Sequence, residues 1–311
     1  MAHYPAHIHS VFTRSDWKNL QHQHEEGVKS LLGDYMKQRS FQKKNPVIDF
    51  LFEYYSFRFS QLVKWSPGIR FGLAVNQTDE LKAIKELTST DATAYLDVHA
   101  LSSKKRQSFT WIHSLLTASR DRKPSFGCFG MHEWAMVYRS EHVRHQQLPL
   151  RLSSKEIMEV VESRPLLCTH FHAFRFFTKP AQPFNKYDLT RERFTENEQA
   201  GCIHTNMDLY KWAFKGFPWI SSDLIFDAFK LASHARRIDM KASPYDVSAF
   251  GLAPIPIETE EGRRVYKEEQ ERIYEASIPV RERLIREYEY ILECTSDQDP
   301  SVVYSDHDTA V

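Results

Sequence analysis

The chain has 311 residues, with 41 Lys+Arg set against 41 Asp+Glu, 41% hydrophobic residues and 13% aromatic residues. That length and apolar content supply a buried core for one large domain or two closely packed ones and exclude general disorder. The even charge excludes the global positive field that holds nucleic acid non-specifically. Ten glycines, about 3% against an ordinary share of roughly 7%, count against folds built on repeated Gly-rich phosphate loops.

From Thr13 the segment TRSDWKNLQHQHEEGVKSLLGDYMKQR is polar, with apolar residues at Trp17, Leu20, Val28, Leu31, Leu32 and Met36, and predicts an exposed helix resting one edge on the body. Lys43–Pro46 breaks the pattern. The stretch from Asn45 to Trp65 then carries Val47, Phe50, Leu51, Tyr54 and Tyr55 at helical spacing, as a first core helix. Two short apolar runs, 70–75 and 92–98, read as strands or buried connections, with a polar helix around Asp79–Leu87 between them.

Residues 102–119 read as a helix. Ser153 and Glu156 have capping-box spacing before IMEVVES, and the run after Pro165, PLLCTHFHAFRFFT, has buried character. Residues 179–205 are polar loop, followed by helices over Asn206–Lys215 and Ser222–Met240, the latter capped by Ser221, Ser222 or Asp223. A long charged helix spans about 260–292. The expected architecture is a single mainly α domain over 13–293 with a small β component, a flexible N-terminus (1–12) and a flexible tail (294–311).

Four cysteines at 128, 168, 202 and 294, with no C-x-x-C pair, do not make a disulfide scaffold, and a reducing cytoplasm is the expected compartment. Neither a leader peptide nor a run near the ~20 apolar residues of a membrane helix is present, so no membrane partner is expected.

Three segments place polar groups among large apolar side chains: FGCFGMHEW (Cys128, His132, Glu133), LLCTHFHAFRFF (Cys168, His170, His172, Arg175) and AGCIHTNMDLYKW (Cys202, His204, Asp208, Lys211). An unpartnered polar group there is costly, so the segments are candidates to meet at one site. His-x-His in an extended segment would put His170 and His172 on one face. With His132 or His204 and a carboxylate from Glu133 or Asp208 they form a donor set suited to zinc or non-haem iron. The alternative is buried thiols and histidines satisfied by backbone.

Glu133 in its ring-rich setting suits a general acid or base, or else pairs with Arg139 or Arg175. Asp208, near a helix start, suits either catalysis or the helix dipole. Tyr210 and Trp212 flank Lys211 as possible stacking rings or as core. Lys104–Arg106 and Arg120–Lys123 bracket one helix as possible phosphate contacts, extended by Arg139, Arg144 and His145. The histidines of the N-terminal tip and of QHQH (His22, His24) are expected at the surface. No G-x-S-x-G, P-loop, H-E-x-x-H or G-x-G-x-x-G motif occurs.

The strings PVIDFLFEYYSFR (46–58), FGCFGMHEWAMVYR (126–139), CTHFHAFRFFT (168–178), GCIHTNMDLYKWAFK (201–215) and DMKASPYDV (239–247) resemble a bacterial family commonly labelled 3-methyladenine DNA glycosylase, over roughly residues 45–290. The Gly-rich hairpin of helix-hairpin-helix glycosylases is absent. The resemblance implies repair of alkylated purine in damaged DNA without a cofactor. A flipped base would stack on Trp134, Tyr210 or Trp212, Arg175 would contact the substrate, and Glu133 or Asp208 would activate water or stabilise the sugar cation. The residues read by themselves offer the other expectation, a zinc- or iron-dependent hydrolase or oxygenase of a small molecule. There His132, His170, His172 and His204 hold the ion and Glu133 moves the proton.

Overall fold

A helix buried on almost every side lies at the centre of a protein. In the computed structural model, which describes residues 5–76, 84–90, 92–140 and 147–295, that place is taken by α9 (Ile203–Lys215), in which only Lys211 and Lys215 are not buried. Its closest companion is α10 (Ser222–Ala242), which lays Leu224, Ile225, Ala228, Phe229, Ala232 and Ala235 against the core. α11 (Glu260–Cys294) crosses α10, α9 and α4 (Ser103–Asp121) with a buried stripe that includes Tyr266, Ile273, Leu284, Tyr288 and Ile291. Thr259 caps α11 by accepting from Gly262 N at 3.0 Å, and Ser102 caps α4. α1 (Arg14–Ser40) and α2 (Pro46–Glu53) complete this helical layer, both packing on α10.

The small β component is a four-stranded sheet in the order β1-β2-β4-β3, formed by β1 (Ser10–Phe12), β2 (Phe71–Ala74), β3 (Leu87–Ser89) and β4 (Thr93–Leu96). β1 runs parallel to β2, with Val11 opposite Gly72. The other pairings are antiparallel, with Leu73 opposite Ala94 and Leu87 opposite Leu96. Leu73, Val75 and Ala94 form a satellite core under Trp17 of α1, whose indole donates to Ala74 O at 2.9 Å. The chain is thus mainly α with a small β component. No helix among the described residues is long and apolar enough to cross a membrane.

Several elements differ from their sequence-based expectation. The first core helix stops at Glu53: Ser56 takes a positive φ of 57°, and the chain restarts as the four-residue α3 (Phe59–Leu62). The helix expected at Asp79–Leu87 falls mostly on 77–83, outside the described residues, and Leu87 lies in β3. The expected flexible N-terminus holds β1, and Ile8 is buried, so residues 5–12 belong to the packed body. Of the expected tail, Cys294 ends α11 and 296–311 lie outside the described residues.

His7 and His24, expected at the surface, are buried. Their Nε2 atoms face Leu96 O at 3.0 Å and Leu62 O at 2.8 Å, carbonyls that a neutral imidazole satisfies. The capping box of α6 (Ser154–Glu162) forms as its spacing predicts. α10 takes Ser221 as its N-cap without a side-chain bond, because Ser222 turns instead to Lys64 O and Ser66 N.

Candidate metal centre

Four short structural decisions bring the polar residues together. Gly130, at φ 74° where its Cβ would meet Ala242 Cβ at 3.1 Å, lets the chain turn into α5 (Met131–Ala135) directly against α10. This delivers His132 and Glu133, both buried. His170 is not in an extended strand with His172. It caps the one-turn helix α7 (Phe171–Phe174), accepting from Ala173 N at 3.2 Å, while His172 lies inside that helix. The imidazoles nevertheless stay close, with ring centroids 5.8 Å apart. α9 supplies His204 and Asp208, one turn apart on one face. α10 supplies Arg236 and Asp239 at i, i+3.

The histidines form a row: His132 to His204 is 4.4 Å between ring centroids, His204 to His170 is 5.1 Å, and His170 to His172 follows at 5.8 Å. Their donor atoms divide into two groups, His132–His204–Asp239 and His170–His172–Asp208. In each group the ligating atoms lie within 4.8 Å of one another. Donors bound to one ion at about 2.1 Å stand about 3.0 Å apart when cis in an octahedron and about 3.4 Å apart in a tetrahedron. His132 Nε2 and Asp239 Oδ1 are hydrogen-bonded at 2.8 Å. His170 Nε2 lies 3.2 Å from Glu198 Oε1 and 3.4 Å from Asp208 Oδ2. His170 Nε2 and Glu198 Oε1 are buried without a hydrogen bond of acceptable alignment, the condition in which a cation between them would be stabilising.

The groups differ in what surrounds them. Asp239 gives its second oxygen to Arg236 Nη1 at 2.7 Å, and the same nitrogen reaches Glu133 Oε1 at 2.8 Å. Burial works to lower the pKa of His132, yet Asp239 and Cys128, whose Sγ is 3.6 Å from Nδ1, lift it well above the ordinary imidazole value. His204 is driven well below its usual value by burial and by the neighbouring His132. In the second group an ammonium is already in place. Lys211 Nζ is 2.8 Å from Asp208 Oδ2 and 3.5 Å from His172 Nδ1. Tyr55 donates to Asp208 Oδ1 at 2.8 Å. Burial alone would raise Asp208, but Lys211 and His170 hold it well below the carboxylate range, while burial and Lys211 lower His172 to about 4. Glu198 is raised by burial and receives Thr205 Oγ1 at 2.5 Å.

A cavity of about 20 Å³ touches both groups, with His204 and His172, Glu133 and Arg236 on its polar side and Phe50, Tyr54 and Phe176 among its rings. That is room for a single water-sized ligand.

Other residues singled out from the sequence lie elsewhere or in other roles. Trp134 and Tyr210 are fully enclosed. The Trp134 indole donates to Ala242 O at 2.9 Å, and Trp212 is buried beneath the half-exposed Trp111, 5.5 Å away. Arg175 is exposed, outside the cluster, over the Phe176 ring at 4.6 Å. Glu133 pairs with Arg236 rather than Arg139 or Arg175, and Asp208 sits in the second turn of α9, past any capping position.

The basic stretches around α4 are largely committed. Lys105 reaches Phe217 O and covers the Trp219 ring, Arg106 donates to Thr295 O, Arg120 pairs with Asp121 and Glu282, and Arg122 donates to Glu198 O. Arg139 pairs with Glu162, and Arg144 and His145 lie outside the described residues.

Sequence reading missed Asp239, Arg236, Glu198 and Tyr55. Asp239 and Arg236 had one available signal, charges inside the apolar stripe of α10. Glu198, in a polar loop, had none. The chain has no match among family models, curated proteins or solved structures.

Proposed function

We propose that the protein is a metal-dependent enzyme acting on a small molecule, with its ion held by His132, His204 and Asp239. The single observation that supports this reading most is the pair of adjacent two-histidine, one-carboxylate groups, the His132 group fully buried, with the ligating atoms of each within 4.8 Å of one another. Two imidazoles and one carboxylate leave open positions on iron(II), or one on zinc, and the ion supplies Lewis acidity at a bound water or substrate oxygen. The His132 group is favoured because Asp239 turns Oδ1 to the imidazole and gives only Oδ2 to Arg236, whereas the Asp208 oxygen that faces His170, Oδ2, itself takes the Lys211 ammonium.

The chain's own residues set the conditions around that ion. Arg236 fixes Asp239 and Glu133 together, Cys128 orients the far nitrogen of His132, and the Phe50, Tyr54 and Phe176 rings restrict water. Glu133, lining the cavity, is the group placed to take or return a proton there.

A DNA glycosylase acting on alkylated purine draws less support from this geometry. Trp134 and Tyr210 present no open face to a flipped base.

Elemental analysis after expression with added iron and zinc tests the reading. About one ion per chain is expected, lost in His204→Ala and Asp239→Asn variants that keep wild-type helicity, as ligands of a site preformed by folding should behave. A folded wild-type protein that retains only trace metal after anaerobic reconstitution would refute it. The ion recovered then separates oxygen chemistry, which needs iron, from hydrolysis, which zinc supports.

A further inference from the structure

Arg236 is 1% exposed, and its guanidinium is used on one side only. Nη1 donates to Glu133 and Asp239, while Nε and Nη2, both buried, donate to no protein group among the described residues. These two nitrogens form the parallel-donor edge of a guanidinium, the edge that matches the two oxygens of a carboxylate. A buried arginine does not ordinarily leave that edge unused, because two desolvated N–H groups without acceptors are costly. The Phe50 ring covers the face of the guanidinium at 4.2 Å, and Arg236 is part of the wall of the small cavity beside His204.

We infer that the substrate is a small carboxylate with an apolar or aromatic body, its carboxylate seated on the Nε–Nη2 edge of Arg236 beside the metal centre. This deepens the metal-dependent reading and rests on it for the position of the reacting atoms. Charge points the same way: a divalent ion with Arg236, Asp239 and Glu133 leaves one positive charge uncompensated, which a monoanion neutralises.

The route inward has matching chemistry. Phe50, Tyr54 and Phe176 also line an outer cavity of about 490 Å³, so these three rings are the partition between the two spaces. Phe50 and Tyr54 stack at 4.8 Å, with Phe176 edge-on to Tyr54 at 6.3 Å. A volume of that order accommodates the body of a drug-sized molecule. Of the charged groups on the outer cavity's rim, Asp49 and Glu53 are both taken by Arg39, at 2.6 and 3.3 Å. Arg175 and Lys44 have no carboxylate partner among the described residues, which leaves the mouth attractive to anions.

The test is isothermal titration of the protein, as isolated with its metal, with acetate, benzoate, phenylacetate, 3-phenylpropanoate and octanoate, each beside its neutral amide. At least one acid is expected to bind about tenfold or more tightly than its amide. Arg236→Lys, which keeps the charge and removes the fork, should abolish the preference of the acid over its amide. Phe176→Trp, outside the polar network, should weaken acid binding by filling the partition, and serves if the lysine variant does not fold. Acids binding no better than amides, or no member of either series binding, would overturn the inference. Metal content measured on the same samples is independent of these affinities, so loss of the metal reading and loss of the carboxylate reading are separate results.

Discussion

Burial changes what a histidine contributes, and His24 carries that effect apart from the candidate centre. Its pKa is lowered by burial, with the Leu62 carbonyl opposing. The folded state therefore takes up its proton less readily than the unfolded chain does. The stability associated with a neutral His24 is complete above the unfolded value of 6.5 and is lost as pH falls below it. Thermal melts at about pH 7.5 and about pH 5.5 should show a fall in Tm that is smaller in His24→Gln, whose amide can still donate to Leu62 O. An equal fall in the variant would assign the acid sensitivity to other groups. Nothing in the string QHQH separates His24 from His22. Only the packing of α1 on the body decides which of them loses its water, and that is a long-range contact the local sequence does not encode.

At the scale of elements, caps and periodicity fix more than local composition does. α2 begins where Asn45 Oδ1 accepts from Val47 N and Ile48 N at 3.2 and 3.3 Å, with Pro46 preset for the first turn. Asn45→Ala should cost about 1 kcal/mol in urea denaturation, with the slope unchanged, because one cap is lost and the core is kept. α6 was legible in the sequence for the same reason, a capping residue before a 3.6-residue apolar pattern, whereas α11 was legible from its i, i+3 and i, i+4 charges. The break between α2 and α3 was not. Tyr54, Tyr55, Phe57 and Phe59 continue an apolar pattern through Ser56, whose φ of 57° ends the helix with no Gly or Pro to mark the break. α7 was hidden differently. Its cap is an imidazole, a role sequence patterns assign to Ser, Thr, Asp or Asn, so His170-x-His172 read as extended chain.

At the scale of the whole molecule, the candidate centre is assembled from stretches near residues 130, 170, 200 and 239 around the most buried helix. The sequence showed three of these through histidines set among rings. The fourth, on α10, was disguised because Arg236 and Asp239 have the i, i+3 spacing of an ordinary solvated ion pair. That difference is one of helix orientation, which emerges only when α9 and α10 are docked. Since His204 belongs to one donor group and Asp208 to the other, the spacing between the groups is ruled by a single turn of α9, about 6 Å of axial rise.

The helix therefore acts as a rigid gauge with no slack. One alanine inserted between Met207 and Asp208 would swing the carboxylate, together with Lys211, by about 100° relative to His204 and carry it off Tyr55 and His170. Such a chain should keep most of its helical circular dichroism and retain its ion at His132, His204 and Asp239, whereas loss of the ion on this insertion would place it in the His170–His172–Asp208 group.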